Sequence, residues 1–245
     1  MTFCYNKPMI TPPDPMDLIA YFFGLLYIVG TISWYILSSR YKNIIYPKAF
    51  ESLGFKRSSN NDPNMNFKIS YSFTPIAKNI YEGVYQGQKI WYIYFDIKKN
   101  DDSATSENFS GVIIEAKLKH EALQIYDANS EFGPTLSTTS KLESNEFNKA
   151  FKVYAPDNKN PYYNLSPSAM QHLLNVRAKF NNSLNIQYFD NKVLFFSNDS
   201  SYKPSFSDLE EVFYQKPKPE SIKSLANNIL FTINDYLDIY NKIKK

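Results

Sequence analysis

The chain has 245 residues, a formal net charge of +3, 17% aromatic residues, one cysteine and two histidines. Abundant aromatics and modest charge exclude a disordered chain, and a lone thiol excludes a fold stapled by internal disulfides. So small a charge, with both signs interspersed, supplies no field for a nucleic-acid partner. Heavy use of Lys, Asn, Ile, Tyr and Phe against few Gly and Arg is what AT-rich coding imposes, and it points to a bacterium.

The first feature along the chain is an uncharged run, LIAYFFGLLYIVGTISWYIL, from Leu18 to Leu37. A helix of about 20 residues rises about 30 Å, the hydrocarbon thickness of a bilayer. Tyr21, Phe22, Trp34 and Tyr35 lie toward its ends, as in an interfacial belt. The leader MTFCYNKPMITPPDPMD lacks the basic start and small-residue cleavage site of a signal peptide, so the run is expected to stay as a single-pass anchor. Arg40, Lys42 and Lys48 follow it whereas only Lys7 precedes it. By the positive-inside rule the C-terminal part then lies in the cytoplasm, at the bacterial inner membrane. The expected organisation is a leader over 1–17, a transmembrane helix over 18–37, a basic connector and loop over 38–66, and a cytoplasmic domain over 67–245. Arg40, Lys42, Lys48, Lys56 and Arg57 are candidate lipid-headgroup contacts. Ala20 and Gly24 form a small-xxx-small pair that would let two copies approach as a homodimer.

Strand patterns follow. FKISYSF alternates from Phe67, and IYEGVYQ is joined through Gly87 to KIWYIYFDI, which predicts a hairpin. FSGVIIEAKL, from Phe109 to Leu118, reads as the next strand, followed by a long loop from Asp127 to about Ser144. LNIQYF and KVLFFS flank Asp190 and Asn191, a second hairpin. Ser166 and Pro167 supply the N-cap and first-turn proline of a helix, and Ser207 with Glu210 forms a capping box before DLEEVFYQ. From about Glu220, residues Ile222, Leu225, Ile229, Ile233, Tyr236, Tyr240 and Ile243 recur at spacings of three and four, which predicts a long amphipathic helix. Strands and helices without strict βαβ alternation predict an α+β fold: the transmembrane helix, then a mostly antiparallel sheet with packed helices.

The block LESNEFNKAFKVYAPDNKNPYYNLSPSAMQHLL, from Leu142 to Leu174, resembles the core pattern of the bacterial domain of unknown function 3137 family. The matching positions are Glu143, Phe147, Phe151, Val153, Asp157, Tyr163, Leu165, Ser166 and Pro167. The resemblance implies a membrane-anchored architecture and location, and no activity. Members are expected to carry two hydrophobic segments near the N-terminus where this chain has one. Asp157 and Tyr163, in the loop of that block, are the candidate ligand or partner groove.

Catalytic devices are sparse. His120 and His172 have no HExxH spacing, His172 is expected to face solvent, Cys4 lies outside the domain, and neither a GxSxG elbow nor a phosphate-binding glycine loop occurs. No catalytic residue, metal site or cofactor is expected, and the chain reads as leaning away from an enzyme. The leading expectation is a membrane-anchored cytoplasmic binding or scaffold module with a protein or small-ligand partner. The alternatives are a tethered enzyme using dispersed carboxylates such as Asp96, Glu115 and Asp157, or a lipid-binding domain.

Overall fold

Apolar residues on successive strands are placed by a nine-stranded sheet in which every neighbouring pair is antiparallel. The computed structural model describes residues 15–58, 67, 69, 73–99, 106–116, 123–132, 138–156, 165–189, 191–198 and 217–243. The chain divides into two compact units, Met1–Ile44 with Pro204–Pro217, and Ile45–Lys203 with Lys218–Lys245.

The described strands are β1 (Lys56–Arg57), β2 (Phe73–Tyr85), β3 (Gln88–Lys99), β4 (Ser106–Glu115), β5 (Gln124–Asp127), β6 (Thr138–Ser140), β7 (Phe151–Ala155), β8 (Asn185–Phe189) and β9 (Lys192–Asn198). Their order across the sheet is β1-β2-β3-β4-β9-β8-β5-β7-β6. The helices are α1 (Pro15–Ser52), α2 (Asn145–Ala150), α3 (Pro167–Arg177) and α4 (Pro219–Ile243), with a 3-10 turn at Ala178–Phe180 after α3.

Both expected hairpins form. Between β2 and β3, Gln86 and Gly87 both take positive φ, 50° and 75°, the geometry of the tight turn whose twist suits paired strands. Between β8 and β9, Asn191 takes φ 57°. Ser166 Oγ accepts from the Ala169 N–H at 3.2 Å, capping α3 ahead of Pro167. The strand β5 and the short strand β6, inside or beside the stretch read as a loop, carry too few alternating residues to announce themselves. Of the FKISYSF pattern, Phe67 and Ile69 are buried but lie outside any strand. The capping box at Ser207 and Glu210 lies outside the described residues.

Because side chains alternate across a strand, the sheet has two buried faces. On one, Trp91, Ile93, Phe95 and Ile97 of β3 join Phe109, Ile113, Leu194, Phe196 and Tyr126, with Phe67, Ile69 and Phe132 packed on them from connecting segments. On the other, Phe50 of α1 stacks on Tyr81 at 3.9 Å between ring centres, and Tyr236 of α4 stacks on Phe195 at 5.5 Å. The α4 positions picked out by their periodicity are mostly buried on their own domain: Leu225, Ile229, Ile233, Tyr236, Tyr240 and Ile243.

The expected single-pass span is not supported. Among the described residues, no helix is long and apolar enough to cross a membrane. Residues 18–37 do not stand alone but belong to the 38-residue α1, which continues to Ser52 through the connector region and buries Ile45, Tyr46, Ala49 and Phe50 in the second unit. Tyr21, Gly24, Tyr27, Gly30 and Thr31 also dilute the run, and Thr31 Oγ turns back to the Ile28 carbonyl at 2.9 Å. The α+β class and the antiparallel sheet stand.

Gly111 on β4 lets the backbone of β9 come close, because a Cβ there would sit 2.5 Å from the Phe195 carbonyl oxygen. Gly111→Ala is therefore expected to destabilise the domain by about 2 kcal/mol, measured by chemical denaturation. Burial raises the phenol pKa of Tyr126 and of Tyr188 well above the ordinary 10.0. A group whose folded pKa is raised holds its stabilisation below the unfolded value and loses it as pH climbs past about 10. Denaturation midpoints are expected to fall above that pH, with phenolate absorbance near 295 nm from these two rings appearing only on unfolding.

Candidate functional site

A concavity among the described residues lies at one end of the sheet, where β3 finishes, β4 begins and β9 finishes. It encloses about 350 Å³, within the size range of small-molecule sites. Ile97, Phe109 and Phe132 give it an apolar floor, and Glu107, Asn129, Glu131, Asn181, Asn182 and Asn198 are exposed around it. Ser130, Ser183 and Asn185 complete the lining, and none of these residues is basic.

The walls are held by a buried ion pair. Asp127 ends β5 and is fully buried, and its carboxylate receives Arg177 of α3 through two nitrogens, Nε at 2.5 Å and Nη2 at 2.9 Å. The guanidinium also lies 5.8 Å over the Phe151 ring, so it is held between the carboxylate and an aromatic face. The hydrogen bond it donates to Asp127 raises the Arg177 pKa above its ordinary value, its own partial desolvation opposing this. The same Asp127 carboxylate accepts from the Asn129 N–H at 2.9 Å, and the Asp127 carbonyl accepts from both the N–H and the hydroxyl of Ser130. On the opposite wall, Asn185 Oδ1 accepts from the Asp127 N–H at 3.1 Å while its amide donates to the Ser183 carbonyl at 2.6 Å. One side-chain pair thereby ties the turn after β5 to the connector between α3 and β8.

The connector owes its course to two consecutive residues with positive φ, Asn181 at 52° and Asn182 at 54°. Asparagine tolerates that region better than most residues with a side chain. Their N–H groups point back to the carbonyls of Ala178 and Arg177, both at 3.2 Å, and the Asn198 N–H donates to Ser183 Oγ at 3.0 Å.

The residues singled out from sequence fall elsewhere. Asp157 and Tyr163 lie outside the described residues. Arg40 and Lys42 are on α1, Lys48, Lys56 and Arg57 are exposed, and Arg57 donates to Asn79 Oδ1 at 2.7 Å. Ala20 and Gly24 are both exposed on α1, and a Cβ at Gly24 would meet nothing within 4 Å. Asp96 pairs with Lys78 at 2.9 Å. In strand register Asp96 faces Asn108, seven residues along β4 from Glu115, so about 23 Å of strand lies between the two positions. His172, expected toward solvent, has a side chain only 20% exposed, with Nε2 3.1 Å from Asp238 because α4 covers that side of α3. The family block is largely structural: Phe147 and Phe151 pack at 4.9 Å, and Ser144 Oγ accepts from the Phe147 N–H at the start of α2. The cleft itself was missed in the sequence. Its residues come from five separated segments, and only the doublet Asn181–Asn182 before a strand offered a local signal.

Residues 104–235 match the family model described as protein of unknown function (DUF3137). No curated protein matches the sequence. Among solved structures, the crystal structure of the mycobacterial trehalose monomycolate transport factor A, TtfA, aligns with 75% of this chain and 98% of that one, at 13% identity and a TM-score of 0.43.

Removing Arg177 would leave the buried Asp127 carboxylate without its counter-charge. Arg177→Gln is expected to cost about 3 kcal/mol in a denaturant titration, the lower part of the range for breaking a buried pair because the guanidinium is partly exposed.

Proposed function

This chain belongs to the DUF3137 family of proteins of unknown function, whose model covers more than half of it, and from that premise we propose a membrane-associated, non-catalytic binding module. One observation carries the membrane part of the reading. Phe22, Phe23, Leu25, Leu26, Ile28 and Val29 of α1 are each at least 50% exposed. At about 100° per residue these positions spread over about 220° of the helix, with Gly24, Tyr27 and Thr31 on the remainder. A partner helix covers one narrow stripe, whereas a lipid surface takes up a broad apolar face. Contact with lipid does not require α1 to cross the bilayer.

Arg40, Lys42, Lys48, Lys56 and Arg57 are proposed to meet anionic headgroups, at about 1 kcal/mol per charge held near the surface. Ala20 and Gly24 are proposed to set the close approach of a second copy along α1. The binding role belongs to the cleft, whose polar rim over an apolar floor suits a small molecule. An enzyme using carboxylates is the second reading, favoured by Glu107 and Glu131 lining the same cleft. Both are exposed, whereas a general acid is commonly a carboxyl walled from water by apolar neighbours, so binding is preferred.

Flotation of the full chain with phosphatidylethanolamine–phosphatidylglycerol vesicles tests the reading. The protein is expected to rise with the vesicles, and the double substitution Leu25→Lys with Ile28→Lys to leave it at the bottom of the gradient. Wild-type protein that stays at the bottom as a soluble monomer would overturn membrane association.

A further inference from the structure

Resting on the binding-module reading, the chemistry of the cleft narrows its ligand. An anion site needs spare donors, from basic side chains or from a row of free backbone N–H groups. No lining residue is basic, and six of the backbone donors along the walls are already committed. The N–H of Asn129 goes to Asp127 Oδ1, that of Ser130 to the Asp127 carbonyl, those of Asn181, Asn182 and Ser183 to carbonyls of α3 and the 3-10 turn, and that of Asn198 to Ser183 Oγ.

The rim then consists of side chains that combine acceptor and donor. Asn129, Asn182 and Asn198 each carry a carbonyl oxygen and an NH₂ group, and Glu107 and Glu131 add acceptors. An ammonium ligand would use the acceptors and leave the amide donors facing nothing. A hydroxyl uses both, because each hydroxyl donates and accepts. Beneath the rim, Ile97, Phe109 and Phe132 offer apolar surface for the C–H face of a ring. We infer that the Asn-lined cleft at the β3–β4–β9 end of the sheet binds a neutral, polyhydroxylated small molecule, a saccharide or cyclitol unit.

Isothermal titration of the full chain, in a detergent without a sugar headgroup, tests this with four probes: maltose, myo-inositol, spermidine and inorganic phosphate. Maltose or myo-inositol is expected to bind with a Kd of about 1 mM or below. Asn129→Ala and Glu131→Gln, both at exposed positions and checked for unchanged thermal unfolding, are expected to raise that Kd about tenfold. Binding of spermidine or phosphate in place of the neutral probes would overturn the ligand class while leaving a binding module. Absence of binding by both neutral probes, or binding that both variants leave intact, would overturn the inference itself. Vesicle flotation does not depend on the cleft, so failure here and failure of the membrane reading are distinguishable.

Discussion

The pairing of Asp127 with Arg177 is the contact on which the candidate site depends. A carboxylate with no solvent exposure is tolerable only if its charge and lone pairs are met. Here a forked guanidinium and the Asn129 N–H meet them together. Asp127 is the last residue of β5 and Arg177 the last of α3, so satisfying one charge fixes a strand end against a helix end. The turn after β5 and the connector before β8 inherit their positions from that constraint. In strand register Phe151 lies opposite Asp127, which brings an aromatic face beneath the guanidinium. Phe151 of the family block, with Phe147 packed on it, is thus part of the same support.

The sheet supplies the rigid frame. With both faces of β3 and β9 buried, its strands leave no freedom for the cleft floor to shift, since Phe109 and Phe132 interlock with Phe95 and Phe196. A preformed floor and internally bonded walls lower the ordering cost of taking up a ligand. The apolar length of α1 plays a separate part. It belongs to the first unit, and the cleft of the second unit does not call on it.

Local signals carried much of the fold. Two hairpins were legible because Gln86–Gly87 and Asp190–Asn191 lie between alternating runs, and α3 because Ser166 precedes Pro167. The periodicity of α4 was legible over its whole length, since one face of it is buried. The uncharged run 18–37 and its flanks predict a membrane span, and no local pattern signals that the same helix runs on to bury Tyr46 and Phe50. His172 was misplaced for a related reason: a helical wheel places residues about one axis and is silent on a second helix arriving from elsewhere. The cleft was illegible because it is assembled from strand ends and turns far apart in the chain, joined by an ion pair between residues 50 positions apart. Glu107 and Glu131 look in sequence like any other surface carboxylates.

Residue-resolved hydrogen exchange on the full chain is the most direct measurement of whether the ion pair holds the cleft. The amides of Asn129, Asn182 and Asn198 belong to exposed residues yet are bonded inside the walls. They are expected to exchange slowly in the wild-type chain and to lose protection together when Arg177 is replaced by Gln, while the central β3–β4 amides stay protected. Wild-type exchange of these three amides at the rate of unstructured peptide, or their unchanged protection without Arg177, would contradict the account.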